Sequence, residues 1–453
     1  MKMTRLASLG ALCLVASCGV VGPDFERPGF ATTQAFAFTP RLALKQAAED
    51  DWWKAYKEPL LDKLVEEAMT QNLDLERARS RIEAARALQG TVGRNAQLSG
   101  AVTGQVTVGD TGSSSTRVRA QGGFQPAFII DLFGEHRRGS EGAQAQVDAE
   151  EFDRAAIRLA VQLELVESYL NLRAQEALLV EQNRSVRNRR RIVDVLQQRY
   201  AVNDATLIDL RRAEAVLATV QAQVPTFVGA RRLSAQRIAT LLAQPLQEIL
   251  PQLEDGNALP APRAGVYAGV PAALLRNRPD IRRAEADFAV TVAEIGVREA
   301  QLYPSLSISG NMQAASFSTV TLGPVLTLPI LDRPARRARL ANAQARAREA
   351  QTVWRQTVLN AIEEVQTALI NLEEADERMT RLEDSAQAYR SAQRLVNKAF
   401  DIGAATLSEV LDTEENATSV RAETVRARLA YGQAWAQLNV AVGQGWHRPD
   451  AVN

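Results

Sequence analysis

The sequence predicts an α+β protein in which very long helices carry four β-strands and the whole pattern occurs twice. The first observation is the stretch from Ala335 to Ile402, which contains neither Gly nor Pro and as one helix would span roughly 100 Å. The second is a period of two in two pairs of segments, 97–131 and 303–331, which indicates two β-hairpins. The third is a repeat with a spacing of about 200 residues. Ala143-Gln144-Ala145 recurs as Ala343-Gln344-Ala345, and Ala205-Thr206-Leu207 recurs as Ala405-Thr406-Leu407.

The composition excludes several classes of function. Acidic and basic residues number 53 each, so the chain offers no electrostatic footprint for nucleic acid. Only two histidines occur, and there is no metal-ligand spacing, nucleophile motif or phosphate-binding glycine loop, so we expect neither an enzyme nor a cofactor. No apolar run after the N-terminal segment approaches the roughly 20 residues of a membrane-spanning helix, and we expect any membrane crossing to use strands.

The N-terminal segment has the pattern of a secretory signal. Lys2 and Arg5 precede a short apolar core, and Val15-Ala16-Ser17-Cys18 resembles a bacterial lipobox, in which the cysteine becomes the lipidated first residue. The alternative is an ordinary signal peptide with an incidental cysteine. We predict a signal peptide over 1–17 and a tether over 18–56, with a covalent lipid such as palmitate on Cys18 as its membrane anchor.

Residues 57–244 form the first predicted repeat. Helical spacing runs from Leu60 to about Leu88, and the hairpin of 97–131 follows it. A long helix is expected from Ala143, with a break at Ala201-Val202-Asn203-Asp204 and a returning helix from about Thr206 to Leu242. Several prolines and glycines make 245–270 a connector between the two repeats.

Residues 271–443 form the second predicted repeat, and 444–453 a C-terminal tail. A helix to about Gln301 precedes the hairpin of 303–331, the long helix, a turn at Gly403 and a last helix from about Thr406 to Val442. Apolar residues of the long helix recur in steps of four and three, which predicts a coiled coil, and only Gln393 breaks the series. The seam consists of Trp354, Val358, Ala361, Val365, Ala368, Leu372, Ala375, Met379, Leu382, Ala386, Tyr389, Val396 and Phe400.

The four strands predict an oligomer if they lie in a membrane. Four strands are too few to close a barrel, and an open edge in lipid leaves backbone groups unpaired. We therefore expect several copies to share one barrel. Three copies would supply twelve strands, but the strand pattern does not fix the number of copies.

Eight segments together resemble the TolC-like outer-membrane efflux family, across nearly the whole mature chain. They are Cys18, Gly22-Pro23-Asp24-Phe25, Asp51-Trp52-Trp53, Asn72-Leu73-Asp74-Leu75, Asp131-Leu132-Phe133-Gly134, Arg278-Pro279-Asp280-Ile281-Arg282, Tyr303-Pro304-Ser305-Leu306 and Gly443-Gln444-Gly445-Trp446. The branch that the chain is most similar to is the NodT-type lipoproteins of resistance-nodulation-division (RND) pumps.

This resemblance implies a homotrimer with a twelve-stranded β-barrel in the outer membrane and a trimeric α-barrel of antiparallel coiled-coil helices in the periplasm. It implies a passive exit duct for small molecules, working with a periplasmic adaptor and an inner-membrane RND pump. It also implies a gate of acidic residues at the periplasmic helix tips. The matching residues are Asp412, which aligns best with the family's gating aspartate, and Glu409, Asp209 and Asp204.

The chain departs from the family pattern at two turns. After the second hairpin the family usually has glycines and then Arg, whereas this chain has Asp332-Arg333-Pro334, so we expect a different strand-to-helix turn. Asn203-Asp204 stands where a glycine is common in the first tip, and this departure concerns the local gate geometry and not the fold.

Two other functions agree with part of the pattern. A channel for protein secretion shares the duct architecture, although the lipobox and the Arg278–Arg282 match favour small-molecule efflux. A periplasmic coiled-coil adaptor or scaffold lipoprotein explains the long helices but leaves four long alternating strands unexplained.

Overall fold

The computed structural model describes residues 19–30, 51–93, 97–110, 116–254, 258–262, 278–314 and 319–446. The first element along the chain is a 3-10 helix, Trp52–Tyr56. The α-helices are α1 (Pro59–Gln71), α2 (Leu73–Gln89), α3 (Glu135–Ala201), α4 (Leu207–Leu241), α5 (Leu246–Leu253), α6 (Pro279–Ala300), α7 (Arg333–Asp401) and α8 (Leu407–Ala441). The strands are β1 (Leu98–Asp110), β2 (Thr116–Ile130), β3 (Ser305–Ala314) and β4 (Thr319–Thr327). Cys18 and residues 31–50 of the expected tether lie outside the described residues.

The described chain folds into two compact units. One joins the described part of Met1–Ala31 with Ala78–Arg154 and Pro279–Val358, and so contains the sheet. The other joins the described parts of Thr32–Arg77, Ala155–Arg278 and Leu359–Asn453, and so contains the tips of the long helices.

The four strands form one antiparallel sheet in the order β1-β2-β3-β4. The two predicted hairpins are therefore joined edge to edge through β2 and β3, with Phe124 opposite Met312 and Phe128 opposite Ile308. A mostly helical chain with a small four-stranded sheet confirms the α+β class expected from the sequence.

One face of this sheet is apolar and exposed. In one row across all four strands, Val102 pairs with Phe124, Phe124 with Met312, and Met312 with Val320. All four side chains are exposed, Val102 to 83% of its surface. The other face is mostly polar, and the amides of Gln105 and Gln121 join across it at 2.7 Å. The period of two predicted from the sequence thus separates apolar from polar side chains, as in a sheet with lipid on one side.

Antiparallel pairing of long helices occurs in both repeats. Within the second unit, Gln182 of α3 donates to the carbonyl of Val220 in α4 at 2.7 Å, and Arg237 of α4 binds Glu164, nearer the far end of the pair. Thr424 of α8 donates to the carbonyl of Leu382 in α7 at 3.2 Å, and Arg428 pairs with Glu383. The predicted seam of α7 is deeply buried from Trp354 to Ala375 and half-buried at Met379, Leu382 and Tyr389.

Two of the quoted motifs hold equivalent helix ends. The side-chain amide of Asn72 donates to the carbonyl of Leu241, the last residue of α4, at 2.9 Å. The Arg278 guanidinium donates to the carbonyl of Ala441, the last residue of α8, at 2.8 Å and also binds Glu364. In each predicted repeat, a side chain near the start of the repeat therefore donates to the last carbonyl of the final long helix, which has no partner within that helix.

The boundaries of several elements differ from those expected. Helical spacing suggested one helix up to about Leu88, but Asn72 is extended (ψ 128°) and its side-chain oxygen accepts from the N–H of Asp74, which ends α1 and caps α2. α3 begins at Glu135 rather than Ala143 and contains Gly139 and Gly142. The expected connector contains the short helix α5, and β4 ends at Thr327, two residues before Pro329.

Among the helices in the described ranges, none has an apolar stretch long enough to cross a membrane.

Candidate gate at the helix tips

The two turns that connect the long helices have the same backbone conformation. Asn203 lies at φ 64° and its counterpart Gly403 at φ 78°, both left-handed. The N–H of Asp204 donates to the carbonyl of Arg199 at 2.8 Å, and that of Ala404 to Ala399 at 2.7 Å. Asn is one of the few residues with a side chain that adopts this conformation readily. The first tip, with Asn203 in place of glycine, therefore has the same left-handed turn as the second tip.

The helices that follow the two turns are capped at equivalent residues. Thr406 accepts from the N–H of Glu409 at 3.3 Å, and the Glu409 carboxylate accepts from the N–H of Thr406 at 2.7 Å, which completes a capping box on α8. On α4, Thr206 accepts from the N–H of Asp209 at 3.1 Å and donates its hydroxyl to the Asp209 carboxylate at 2.6 Å. Both acidic residues are therefore bound within their own turns.

The capping box changes the proton affinity of Glu409. Its hydrogen bonds from the backbone and the hydroxyl of Thr406 lower the pKa of the Glu409 carboxyl from its ordinary value of 4.5. The carboxyl is consequently ionised at neutral pH and lies at the positive end of the helix dipole.

Asp412 lies one turn further along α8 and has different surroundings. Its side chain is exposed, and within the described residues it makes no hydrogen bond or ion pair. Asp204 is exposed as well, with its carboxylate 3.9 Å from the Arg199 guanidinium. Of the four predicted gate residues, Asp412 is the one whose carboxylate is available to a partner or ion outside the chain.

Apolar side chains join the two tips into one cluster, which we call the tip core. Ile192, Val193, Leu196, Leu210, Ala213, Phe400, Val410 and Leu411 form it. The first five of these come from α3 and α4, Phe400 comes from the end of α7, and Val410 and Leu411 come from the beginning of α8. The structure therefore brings the predicted gate segments of both repeats together.

Three arginines of α3 reach across the tip core to the second repeat. Arg199 donates to the carbonyl of Phe400 at 2.7 Å, and its guanidinium carbon lies 4.7 Å from the centre of the Phe400 ring. Arg191 binds Asp401 at 2.8 Å and Arg189 binds Glu415 at 2.6 Å. These contacts tie the C-terminal end of α7 and the first turns of α8 to α3.

A buried carboxylate lies beside these links. Glu414 of α8 is 1% exposed and accepts from Asn188 of α3 at 2.8 Å and from Gln393 of α7. Arg421 lies 3.9 Å from Glu414, donates to Gln393 at 3.1 Å and pairs with Glu181 of α3 at 2.8 Å. Burial lowers the pKa of the Arg421 guanidinium, against the opposite effect of the carboxylates of Glu181 and Glu414. We call Asn188, Gln393, Glu414 and Arg421 the buried polar cluster.

Sequence reasoning did not identify the buried polar cluster. The one signal for it was Gln393, the only interruption of the apolar seam, because a polar side chain in a coiled-coil seam requires a polar partner. No group of three or more His, Cys, Asp or Glu residues in the described part of the chain is placed to hold a metal ion.

Comparison with known proteins gives one consistent result. The family model for "Outer membrane efflux protein" matches residues 64–244 and 270–444. The chain is 30% identical to Nodulation protein T of Rhizobium leguminosarum bv. trifolii, with 99% of this chain and 98% of that protein aligned. It is 26% identical to the pyoverdine export outer membrane protein OpmQ of Pseudomonas aeruginosa, over 98% of each.

A solved structure agrees with these relatives. The outer-membrane channel OprN superimposes with a TM-score of 0.86 at 28% identity, covering 94% of this chain and 99% of that chain. The match to the family model and the full-length likeness to Nodulation protein T show that this chain belongs to the TolC-like outer membrane efflux protein family, in its NodT-type branch.

Proposed function

We propose that this chain is the exit duct of a tripartite RND-type efflux system, formed by three copies and gated at its periplasmic helix tips. As a member of the outer membrane efflux protein family it is an outer-membrane channel protein and not an enzyme. The proposal adds the number of copies, the β-barrel, the gate, the RND partner and the class of cargo.

The observation that carries the proposal is the four-stranded sheet. β1 and β4 are its edge strands, and each pairs on one side only among the described residues. Its exposed apolar face suits lipid, but backbone groups at an open edge in lipid would be unsatisfied. Pairing of β4 of one copy with β1 of the next satisfies both edges. Three copies give twelve strands, and their antiparallel helix pairs form a tunnel across the periplasm.

We place the proposed gate at the tips, where the tip core joins α7 and α8 to α3 and α4. In a trimer, Asp412 of each copy would give three carboxylates around one axis, and their negative potential would favour cations in a narrow passage. Glu409 and Asp209 act mainly as caps of their helices, and Asp204 pairs weakly with Arg199. We therefore assign the constriction to Asp412, with the charge of Glu409 as its neighbour.

The names of two relatives support the proposed class of cargo. OpmQ is named for the export of pyoverdine and SrpC of Pseudomonas putida for solvent efflux, both small molecules. We propose a small-molecule cargo that is delivered by an inner-membrane pump through a periplasmic adaptor docked at the tips. The chain itself supplies no energy and is a passive duct. Lipidation of Cys18 would anchor the tether in the outer membrane beside the barrel.

Planar-bilayer recording of the purified mature protein tests this proposal. We expect a low, cation-selective conductance from the closed tip. A protein that inserts into bilayers and is anion-selective would contradict the gate of carboxylates. A protein that stays soluble and never inserts would contradict the duct itself and favour the scaffold interpretation.

A further inference from the structure

The junction between β4 and α7 carries a concentration of arginines that the duct function does not use. Arg333, Arg336, Arg337 and Arg339 occupy the first two turns of α7. Arg333, Arg337 and Arg339 are exposed and make no ion pair within the described residues, and we call these three the basic patch. Arg336 is engaged by Asp332 at 2.7 Å and by the carbonyl of Gln301 at 2.8 Å.

The positive charges of these arginines lie at the end of α7 where the helix dipole makes them unfavourable. Cations at a helix N-terminus are disfavoured by the helix dipole, and α7 has no acidic residue in its first turn. The other seven α-helices of the described chain each have at least one acidic residue there. An arrangement that costs stability locally is expected where another interaction compensates for it.

Neighbouring carboxylates form no ion pair with the basic patch among the residues that the structure describes; Asp332 pairs with Arg336. Asp131 and Glu135 line the cleft of about 290 Å³ that also contains Arg336 and Arg339. The Asp131 carboxylate already accepts from the N–H of Arg137 at 3.0 Å, and Glu135 accepts from Gln301 at 2.8 Å.

An exposed apolar segment directly precedes the basic patch. Leu328 is 56% exposed, Ile330 71% and Leu331 96%, and Asp332 and Arg333 follow at once. At the same ends of β2 and β3, the rings of Phe133 and Tyr303 stack with their centres 4.7 Å apart. Apolar side chains, aromatic rings and then cations, in this order, are characteristic of a membrane boundary.

We propose that the basic patch binds the phosphodiester headgroups of anionic phospholipids in the periplasmic leaflet of the outer membrane. This inference rests on the proposed duct, since it places β4 in lipid and α7 in the periplasm. Leu328, Ile330 and Leu331 enter the acyl region, and Arg333, Arg337 and Arg339 reach the phosphates beside it. The bound headgroups fix the depth at which the strands sit.

Native mass spectrometry of the detergent-solubilised full-length assembly, titrated with phosphatidylglycerol or with phosphatidylcholine, tests the inference. The wild-type protein should prefer phosphatidylglycerol, and the preference should weaken with added salt. Each arginine removed by Arg333→Gln, Arg337→Gln or Arg339→Gln should weaken phosphatidylglycerol binding about fivefold. The triple Lys variant of the same residues should retain the preference, because a compact charge at a membrane surface contributes about as much.

The matched control removes three exposed arginines further along the same helix, Arg348→Gln, Arg355→Gln and Arg394→Gln, and should bind like the wild type. Equal binding of both lipids to a wild-type channel that inserts and conducts would overturn the lipid inference and leave the duct intact. Loss of the assembly in the triple Gln variant, equally with either lipid, would assign the arginines to subunit contacts and also overturn it. A wild-type protein that never inserts overturns both proposals.

Discussion

Asp412 and Glu409 lie three residues apart on α8, yet their surroundings give them different roles. Glu409 is bound by Thr406 and stabilises the start of the helix, whereas Asp412 is exposed and unpartnered within the described residues. A charge that stabilises nothing in its own chain is available for ions or for other copies. This difference agrees with the order in which the sequence analysis ranked the two acidic residues, with Asp412 as the better match to the family's gating aspartate.

Replacing Asp412 with Ala should raise the single-channel conductance, because it removes one carboxylate per copy from the closed tip and loosens it. Cation selectivity should fall in the same recordings, and stability should change by less than about 0.5 kcal/mol, since the side chain is exposed. Asp384→Ala, an exposed carboxylate of α7, is the matched control and should leave both properties unchanged. Unchanged conductance and selectivity in the Asp412 variant would remove this residue from the gate.

Glu414 is buried, and in contrast to Asp412 we expect its substitution to lower the stability of the protein. Truncation to Ala leaves the side-chain amides of Asn188 and Gln393 without their buried acceptor, which should cost about 1–3 kcal/mol for each unsatisfied amide, whereas Arg421 keeps its ion pair with Glu181. Glu414→Gln, which keeps an acceptor oxygen, should cost less, and Glu374→Ala, at an exposed position of α7, should be nearly neutral. Thermal unfolding followed by circular dichroism gives the order of stability of these variants. Equal stability of Glu414→Ala and the wild type would show that the buried polar cluster does not stabilise the fold.

Asp412 could be nominated from the sequence because it aligns with the family's gating aspartate, and its role in a gate stays a prediction. The sequence could not predict a site whose partners come from different helices. The partners of Glu414 come from α3, α7 and α8, and no local pattern connects Asn188 with Gln393. Gln393 was visible as a break in the seam, but its meaning required the fold.

At the scale of elements, helix termini determine how the tips hold together. The capping box of Thr406 and Glu409 fixes the first turn of α8, and the left-handed residues Asn203 and Gly403 reverse the chain. Hairpins and long helices could be predicted because their periods extend over many residues. Their ends could not, because single side chains such as Asn72 decide them, and because Gly139 and Gly142 are tolerated inside α3.

The stability of the first turn of α8 should decrease as the pH falls, because the cap depends on the ionised Glu409 carboxylate. Because the pKa of folded Glu409 lies below 4.5, its stabilisation is complete above pH 4.5 and is lost as the pH falls through the lowered value. Hydrogen exchange at the first turn of α8 should therefore accelerate in acid beyond the intrinsic rate. Glu409→Gln should abolish this pH dependence, whereas a variant that retains it would contradict the assignment to Glu409.

Two predictions of stability concern Asn203 and Gly403, the left-handed residues of the two turns. Gly403→Ala places a Cβ at φ 78° and should cost about 1–2 kcal/mol of stability, although the space around Gly403 is open. Asn203→Gly keeps the left-handed conformation and should change stability by less. Melting temperatures of the two variants test this, and a neutral Gly403→Ala would show that the turn adopts another conformation.

At the scale of the whole molecule, the open edges of the sheet require neighbours. The sequence has no cysteine beyond Cys13 and Cys18, so under the proposed removal of 1–17 and lipidation of Cys18 the introduced thiols report on contacts without background. Thr103→Cys on β1, combined in turn with Thr319→Cys or Thr321→Cys on β4, should yield disulfide-linked species up to three chains. Thr103→Cys alone is the control, and linkage beyond three chains would contradict a closed trimer.

The mass of the detergent-extracted assembly, measured by light scattering with the detergent contribution subtracted, tests the central claim most directly. We predict three times the mass of the mature chain, because three four-stranded sheets close one barrel and leave no edge in lipid. A monomer or dimer recovered from the soluble fraction would contradict the shared barrel, and with it the exit duct.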